Sequence, residues 1–371
     1  MSEPKTILFA GGGTGGHLYP GIAVAEVLRE LRPDIKPVFL CTQREIDQTI
    51  LAPTGFAFIP QPIVPPISTV SGLLKFWKSW RETKDLVRKT IRERKPVAVL
   101  GLGGYAAGVG VKIASLKKIP TAIVNPDVVP GKANKYLMQY STAVCCQFDQ
   151  TAEHVSPSQR HKLTTTGCPI RASITKLPGR EEAAKRLGLD PKLKTLVVTG
   201  ASLGAQTINE AAITLLPEME LNGWQVLHLS GKDHAAKVRT AYREKELPAH
   251  VIDFTPAMAD VWSVADLAIS RSGASSCAEL TACGVPSILM PYPYHKDLHQ
   301  RANAKVLEDG GAAILMDDEK DARKNADKLK PILQSLLFDG TRQTAMAQAA
   351  LRLGRPDAAR AVADVLTGLI S

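Results

Sequence analysis

Short β-branched apolar runs alternate along the chain with longer segments whose apolar positions recur at helical spacing. Residues 6–10, 38–42 and 97–100 are expected strands, and the same style restarts at 195–199, 225–229, 267–270 and 287–290. Strands separated by helix-length segments form parallel sheets with helices on both faces. The pattern predicts an α/β chain of two Rossmann-like domains facing each other across a cleft. Strand and helix signals lapse at Gly167-Cys168-Pro169-Ile170-Arg171 and through the polar stretch to Pro178, which places the hinge there. The domains are expected at 1–168 and 169–371. A last helix, opened by Pro356 and Asp357, is expected to cross back onto the first domain over 356–371.

At 371 residues and 44% hydrophobic composition the chain has material for two cores. A short polar stretch leads straight into Ile7-Leu8-Phe9-Ala10, without a basic region, a long apolar run or a cleavage site, so secretion is not expected. No window reaches the ~20 apolar residues that cross a bilayer. The six cysteines lack the paired spacing of a zinc site and are sparse for a disulfide scaffold, so reduced thiols, a cytoplasmic location and no bound metal are expected.

Position matters more than total for the net charge of +10. Residues 75–95 carry nine basic side chains, Lys75 and Lys78 among them, against three acidic ones. Leu73, Leu74, Phe76, Trp77 and Trp80 add apolar and aromatic bulk at roughly helical spacing. Such a segment suits an anionic membrane surface; the alternative is a core helix with a solvated basic face. A nucleic-acid partner is not expected, because no recognition helix, zinc or aromatic sheet motif accompanies the charge.

The candidate chemistry lies in glycine turns. Gly11-Gly12-Gly13-Thr14-Gly15-Gly16-His17 follows the first strand, with a helical pattern from Tyr19-Pro20. Five glycines in six positions open backbone N–H groups beside a helix N-terminus, a cradle for phosphate or sugar. A dinucleotide fingerprint needs an acid at the end of the second strand, which here reads Leu40-Cys41-Thr42, so a nicotinamide or flavin role is disfavoured. Similar turns follow at Gly101-Leu102-Gly103-Gly104-Tyr105 and Gly200-Ala201-Ser202-Leu203-Gly204. Downstream, Arg271-Ser272-Gly273-Ala274-Ser275-Ser276-Cys277-Ala278-Glu279 places small and hydroxyl residues at a helix start, with a carboxylate one turn in. That pairing suits a diphosphate and a ribose diol, although Glu279 is also an ordinary first-turn acid. Residues 291–300 end in His295-Lys296-Asp297-Leu298-His299-Gln300, polar groups able to grip sugar hydroxyls or to sit solvated.

Seven motifs in order, at 11–21, 103–105, 129–134, 167–171, 200–204, 271–279 and 295–300, resemble the bacterial N-acetylglucosaminyltransferases that complete the lipid-linked peptidoglycan precursor, the MurG family. The resemblance implies an inverting glycosyltransferase of cell-wall synthesis that acts without a metal or cofactor. Its donor would be UDP-N-acetylglucosamine and its acceptor a polyprenyl-diphosphate-linked sugar at the inner face of the cell membrane. It places Thr14, Gly15 and Gly16 near the diphosphates, and Arg171, Ser202, Ala274, Ser275, Ser276, Glu279 and Gln300 on the donor, with Glu279 on the ribose. Backbone near Phe254-Thr255 would close the uracil pocket. Gly104, Tyr105 and Asn134 fall to the acceptor. One departure stands out: where the family has a His-Glu-Gln-Asn run, this chain reads Val124-Asn125-Pro126-Asp127. His17, at the first glycine turn, is the candidate for base or for orienting the acceptor, and the altered run makes Asp127 the substitute candidate. A glycolipid synthase using diacylglycerol, a sugar-nucleotide epimerase and a non-catalytic binding protein of the same architecture remain as alternatives.

Overall fold

The computed structural model describes residues 4–200, 205–294 and 297–370. Two compact units emerge, Met1–Arg171 with Pro356–Ser371, and Ala172–Arg355. The chain changes unit after Arg171, within the stretch where both periodicities lapse.

The first unit holds seven parallel strands: β1 (Lys5–Ala10), β2 (Ile35–Thr42), β3 (Ala57–Gln61), β4 (Ala98–Gly101), β5 (Thr121–Asn125), β6 (Ala143–Cys146) and β7 (Leu163–Thr165). Their spatial order is β3-β2-β1-β4-β5-β6-β7. The order reverses between β1 and β4, so the turns leaving those strands are neighbours at the sheet's carboxyl edge, where open α/β sheets bind ligands. β1 is buried on both faces, as its unbroken apolar run requires. Ile7 and Phe9 join the core beneath helices Gly15–Leu31 and Ala358–Gly368, which supplies Ala359, Val362 and Leu366. Leu8 and Ala10 point the other way, into the core beneath Val70–Arg94 and Gly104–Leu116.

The second unit repeats the plan with β8 (Lys194–Thr199), β9 (Trp224–Leu229), β10 (Ala249–Ile252), β11 (Ala265–Ser270), β12 (Ser287–Leu289) and β13 (Ala313–Leu315). These are parallel, in the order β10-β9-β8-β11-β12-β13, with the reversal between β8 and β11. The first helix differs from its expected start at Tyr19-Pro20, because Pro20 sits inside it rather than at its first position. Proline there costs the bond to the Gly16 carbonyl, yet the helix already begins at Gly15.

His228 on β9 is fully buried, its Nδ1 2.8 Å from the Tyr242 hydroxyl and its Nε2 3.0 Å from Asn209 Oδ1. Burial pushes its pKa down to about 3. The unfolded chain takes this proton near pH 6.5 and the folded chain does not, so the contribution is complete above about pH 6.5 and is lost as pH falls toward 3. Between pH 7 and 5 the loss is about 2 kcal/mol. Melting temperature should fall more steeply over this range for the native chain than for His228→Gln; equal slopes would refute this origin.

Candidate active site

The turn after β1 is held from below by a residue that no local motif marks. Asp47, fully buried on helix Glu45–Leu51, accepts the Gly13 N–H at 2.8 and 2.9 Å, the Thr42 N–H at 2.8 Å and the Thr42 hydroxyl at 2.7 Å. A Cβ on Gly12 would stand 2.3 Å from Asp47 Oδ2, so only glycine passes here. Arg44 Nη1 donates to the Gly13 carbonyl at 2.8 Å. β2 ends at Thr42 with no acid, and Asp47, five residues further on, binds the turn itself. Thr14 occupies the N-cap position without a side-chain bond to the first helical turn. Its hydroxyl lies 3.0 Å from His17 Nδ1 instead. The leading N–H groups at Gly15 and Gly16 thus have no side-chain cap, an anion-binding arrangement.

The turn after β4 closes on the same point. Gly103 and Gly104 adopt φ of +94° and +70°, in the left-handed region. A Cβ on Gly104 would lie 3.0 Å from His17 Cε1, and one on Gly103 would lie 3.4 Å from His17 Cδ2 and 3.5 Å from Asn134 Oδ1. The Tyr105 hydroxyl is 3.3 Å from the place a Gly13 Cβ would take. Asn134 Nδ2 donates to the Val124 carbonyl at 3.0 Å and to Asn125 Oδ1 at 3.1 Å. Its Oδ1 is buried with no hydrogen-bond partner among the described residues, an acceptor beside the imidazole. In the altered run, Asn125 Nδ2 holds the Asp127 carbonyl at 2.8 Å. Burial lowers the His17 pKa, opposed by a hydrogen bond with the Gly12 backbone and by the charges of Asp127 and Asp47. His17, Thr14, Gly104, Tyr105, Asn134 and Asp127 thus form one cluster. Arg171 adds a guanidinium 5.0 Å over the ring of Tyr19, which itself covers Gly15.

In the second unit, Ala274, Ser275 and Ser276 form the first turn of helix Ala274–Ala282, whose N-cap Gly273 supplies no side-chain bond. The Glu279 carboxylate accepts the Trp262 indole N–H at 2.7 Å. The Gln300 carbonyl accepts the Ser272 hydroxyl at 2.8 Å, and Gln300 Oε1 accepts the Tyr292 N–H at 2.9 Å, so the loop and the helix start are stitched together. Thr255 lies in the loop after β10, at the far sheet edge, with its hydroxyl accepting the Ala257 N–H at 3.0 Å. Ser202, Leu203, His295 and Lys296 lie outside the described residues.

The basic segment is the 25-residue helix Val70–Arg94. Leu73, Leu74, Lys75, Trp77 and Lys78 are exposed on it. Of the five apolar residues read as suited to a membrane surface, Phe76 and Trp80 are instead half-buried against the core, and Trp80 packs where Gly108 leaves room. Helical spacing put them one turn apart on the inward side. Among the described residues no helix is long and apolar enough to cross a membrane.

Known proteins share this architecture. The profile of the glycosyltransferase family 28 N-terminal domain matches residues 7–146, and that of its C-terminal domain residues 195–362. The UDP-N-acetylglucosamine--N-acetylmuramyl-(pentapeptide) pyrophosphoryl-undecaprenol N-acetylglucosamine transferase of Halothermothrix orenii is 36% identical, with 94% of this chain and 95% of that protein covered. The protein of the same name from Thermodesulfovibrio yellowstonii is also 36% identical, with 98% of each covered. The crystal structure of Acinetobacter baumannii MurG superposes with a TM-score of 0.78 at 25% identity, over 98% of this chain and all of that one. The chain therefore belongs to glycosyltransferase family 28, and within it to the MurG family.

Proposed function

We propose that the chain transfers N-acetylglucosamine from UDP-N-acetylglucosamine to the muramyl sugar of a polyprenyl-diphosphate-linked precursor, in peptidoglycan synthesis. The observation that carries this is 36% identity, over nearly the whole chain, to transferases named for that reaction. The acceptor hydroxyl attacks the anomeric carbon in one displacement with inversion, and UDP departs. His17 takes the proton, assisted by the carboxylate of Asp127. Ala274, Ser275 and Ser276 offer helix N-terminal amides to the donor diphosphate, joined by Arg171, Ser202 and Thr14-Gly15-Gly16. Glu279 takes the ribose diol, Gln300 the sugar hydroxyls, and backbone at Thr255 the base. These groups carry the developing charge without a metal or other cofactor. Gly104, Tyr105 and Asn134 hold the acceptor. Leu73, Leu74 and Trp77, with Lys75 and Lys78, seat the chain as a peripheral protein on the anionic inner face of the bacterial cell membrane.

Labelled UDP-N-acetylglucosamine, offered with the lipid-diphosphate acceptor or with diacylglycerol in anionic vesicles, tests this. Label should enter the diphosphate-linked lipid, faster from anionic than from neutral vesicles. Label in diacylglycerol alone, epimerised free donor, or no turnover would each overturn the proposal.

A further inference from the structure

We infer that Trp262 is a positioning residue for the donor: its indole N–H holds the Glu279 carboxylate in the orientation that receives the ribose hydroxyls. This rests on the reading of Glu279 as the ribose ligand.

Trp262 is 3% exposed, on helix Met258–Val264, which leads into β11, whereas Glu279 is on the helix that follows β11. The indole has a single polar atom, a donor, which must find an acceptor once buried. The chain shows that a backbone carbonyl meets this need, since the buried Trp224 donates to the Leu337 carbonyl at 3.1 Å. At Trp262 the acceptor is instead the half-buried Glu279 side chain, at 2.7 Å, the short range of a charge-assisted bond. A carboxylate offers about four acceptor positions, so accepting the indole N–H does not by itself fill them. The contact removes rotamer freedom from a three-torsion side chain before any ligand arrives, so nucleotide binding does not bear that cost.

Trp262→Phe keeps the ring and removes the N–H. Calorimetric titration with UDP and with 2′,3′-dideoxy-UDP reads the consequence. Positioning predicts about tenfold weaker binding of UDP, dideoxy-UDP affinity within about twofold of native, and a donor KM raised about tenfold at nearly constant kcat. Equal weakening of both nucleotides, or undiminished preference for UDP in Trp262→Phe, overturns it. Glu279→Ala separates the two layers. If that variant loses the preference for UDP while Trp262→Phe keeps it, the ribose reading stands and the positioning inference fails. If Glu279→Ala also keeps the preference, the ribose reading itself fails. Should Trp262→Phe fold poorly, replacing the Trp262 indole by benzothiophene, with sulfur in place of N–H, gives the same measurement at nearly the same shape.

Discussion

Asp47→Ala is expected to lower transfer activity at least a hundredfold and to cost about 3 to 5 kcal/mol of stability. The carboxylate is fully buried and serves three donors, the Gly13 and Thr42 N–H groups and the Thr42 hydroxyl. Each donor left without a partner costs about 1 to 3 kcal/mol. The expected effect on activity follows from geometry: Gly13 leads into Thr14, which bonds His17, so releasing the turn moves the Gly15 and Gly16 amides and the candidate base together. A displacement of about an ångström there is worth about a hundredfold in rate. Asp47→Asn should be nearly as damaging, because its amide turns a donor toward existing donors. Denaturant unfolding and steady-state transfer rates check this; activity within tenfold of native in Asp47→Ala would remove Asp47 from this role.

Arg271→Met is the second large effect, at about 3 to 5 kcal/mol. Arg271 is 5% exposed, and its guanidinium joins four places in the second unit: the Met290 and Pro291 carbonyls at 2.9 and 3.1 Å, the Thr207 hydroxyl at 2.7 Å and the Asp318 carboxylate at 2.7 Å. The Asp318 side chain is wholly buried, so the substitution removes the counter-ion from a charge that the Thr207 hydroxyl, the Asn325 amide and the Lys320 N–H also bond. Arg271 also leads into the helix bearing Ala274 to Glu279, and the donor KM should rise with the loss of stability. Combining Arg271→Met with Asp318→Leu should recover a large part of the stability, because removing both charges is far cheaper than orphaning one. A single variant within 1 kcal/mol of native on chemical denaturation would contradict this account.

Part of the candidate site is legible locally. Thr14 to His17 and Ala274 to Glu279 are contiguous, and their glycines and small residues are chosen by turn geometry and helix-start chemistry that a few neighbours define. Asp47 is not, because nothing in residues 43–47 indicates that the carboxylate bonds an amide 34 positions earlier. Trp262 likewise reads as an ordinary core aromatic until its indole meets a residue 17 positions away. The burial of Trp80 depended on Gly108, a gap in another helix.

The sequence alone determined the alternating strands and helices, the two-unit plan and the glycine turns, since periodicity and backbone freedom are properties of short stretches. It missed other strands, among them β7 at the sheet edge and β3, whose apolar run Pro60 interrupts. Tertiary structure decided which turns are neighbours. The strand order sets β4 beside β1, with Leu102 N donating to the Ala10 carbonyl at 2.8 Å, and so brings Gly103 and Gly104 against His17. Hydrogen-bond partners for a buried group are supplied by whatever the sheet lays alongside it, and that adjacency is written in the packing of distant segments rather than in any one of them.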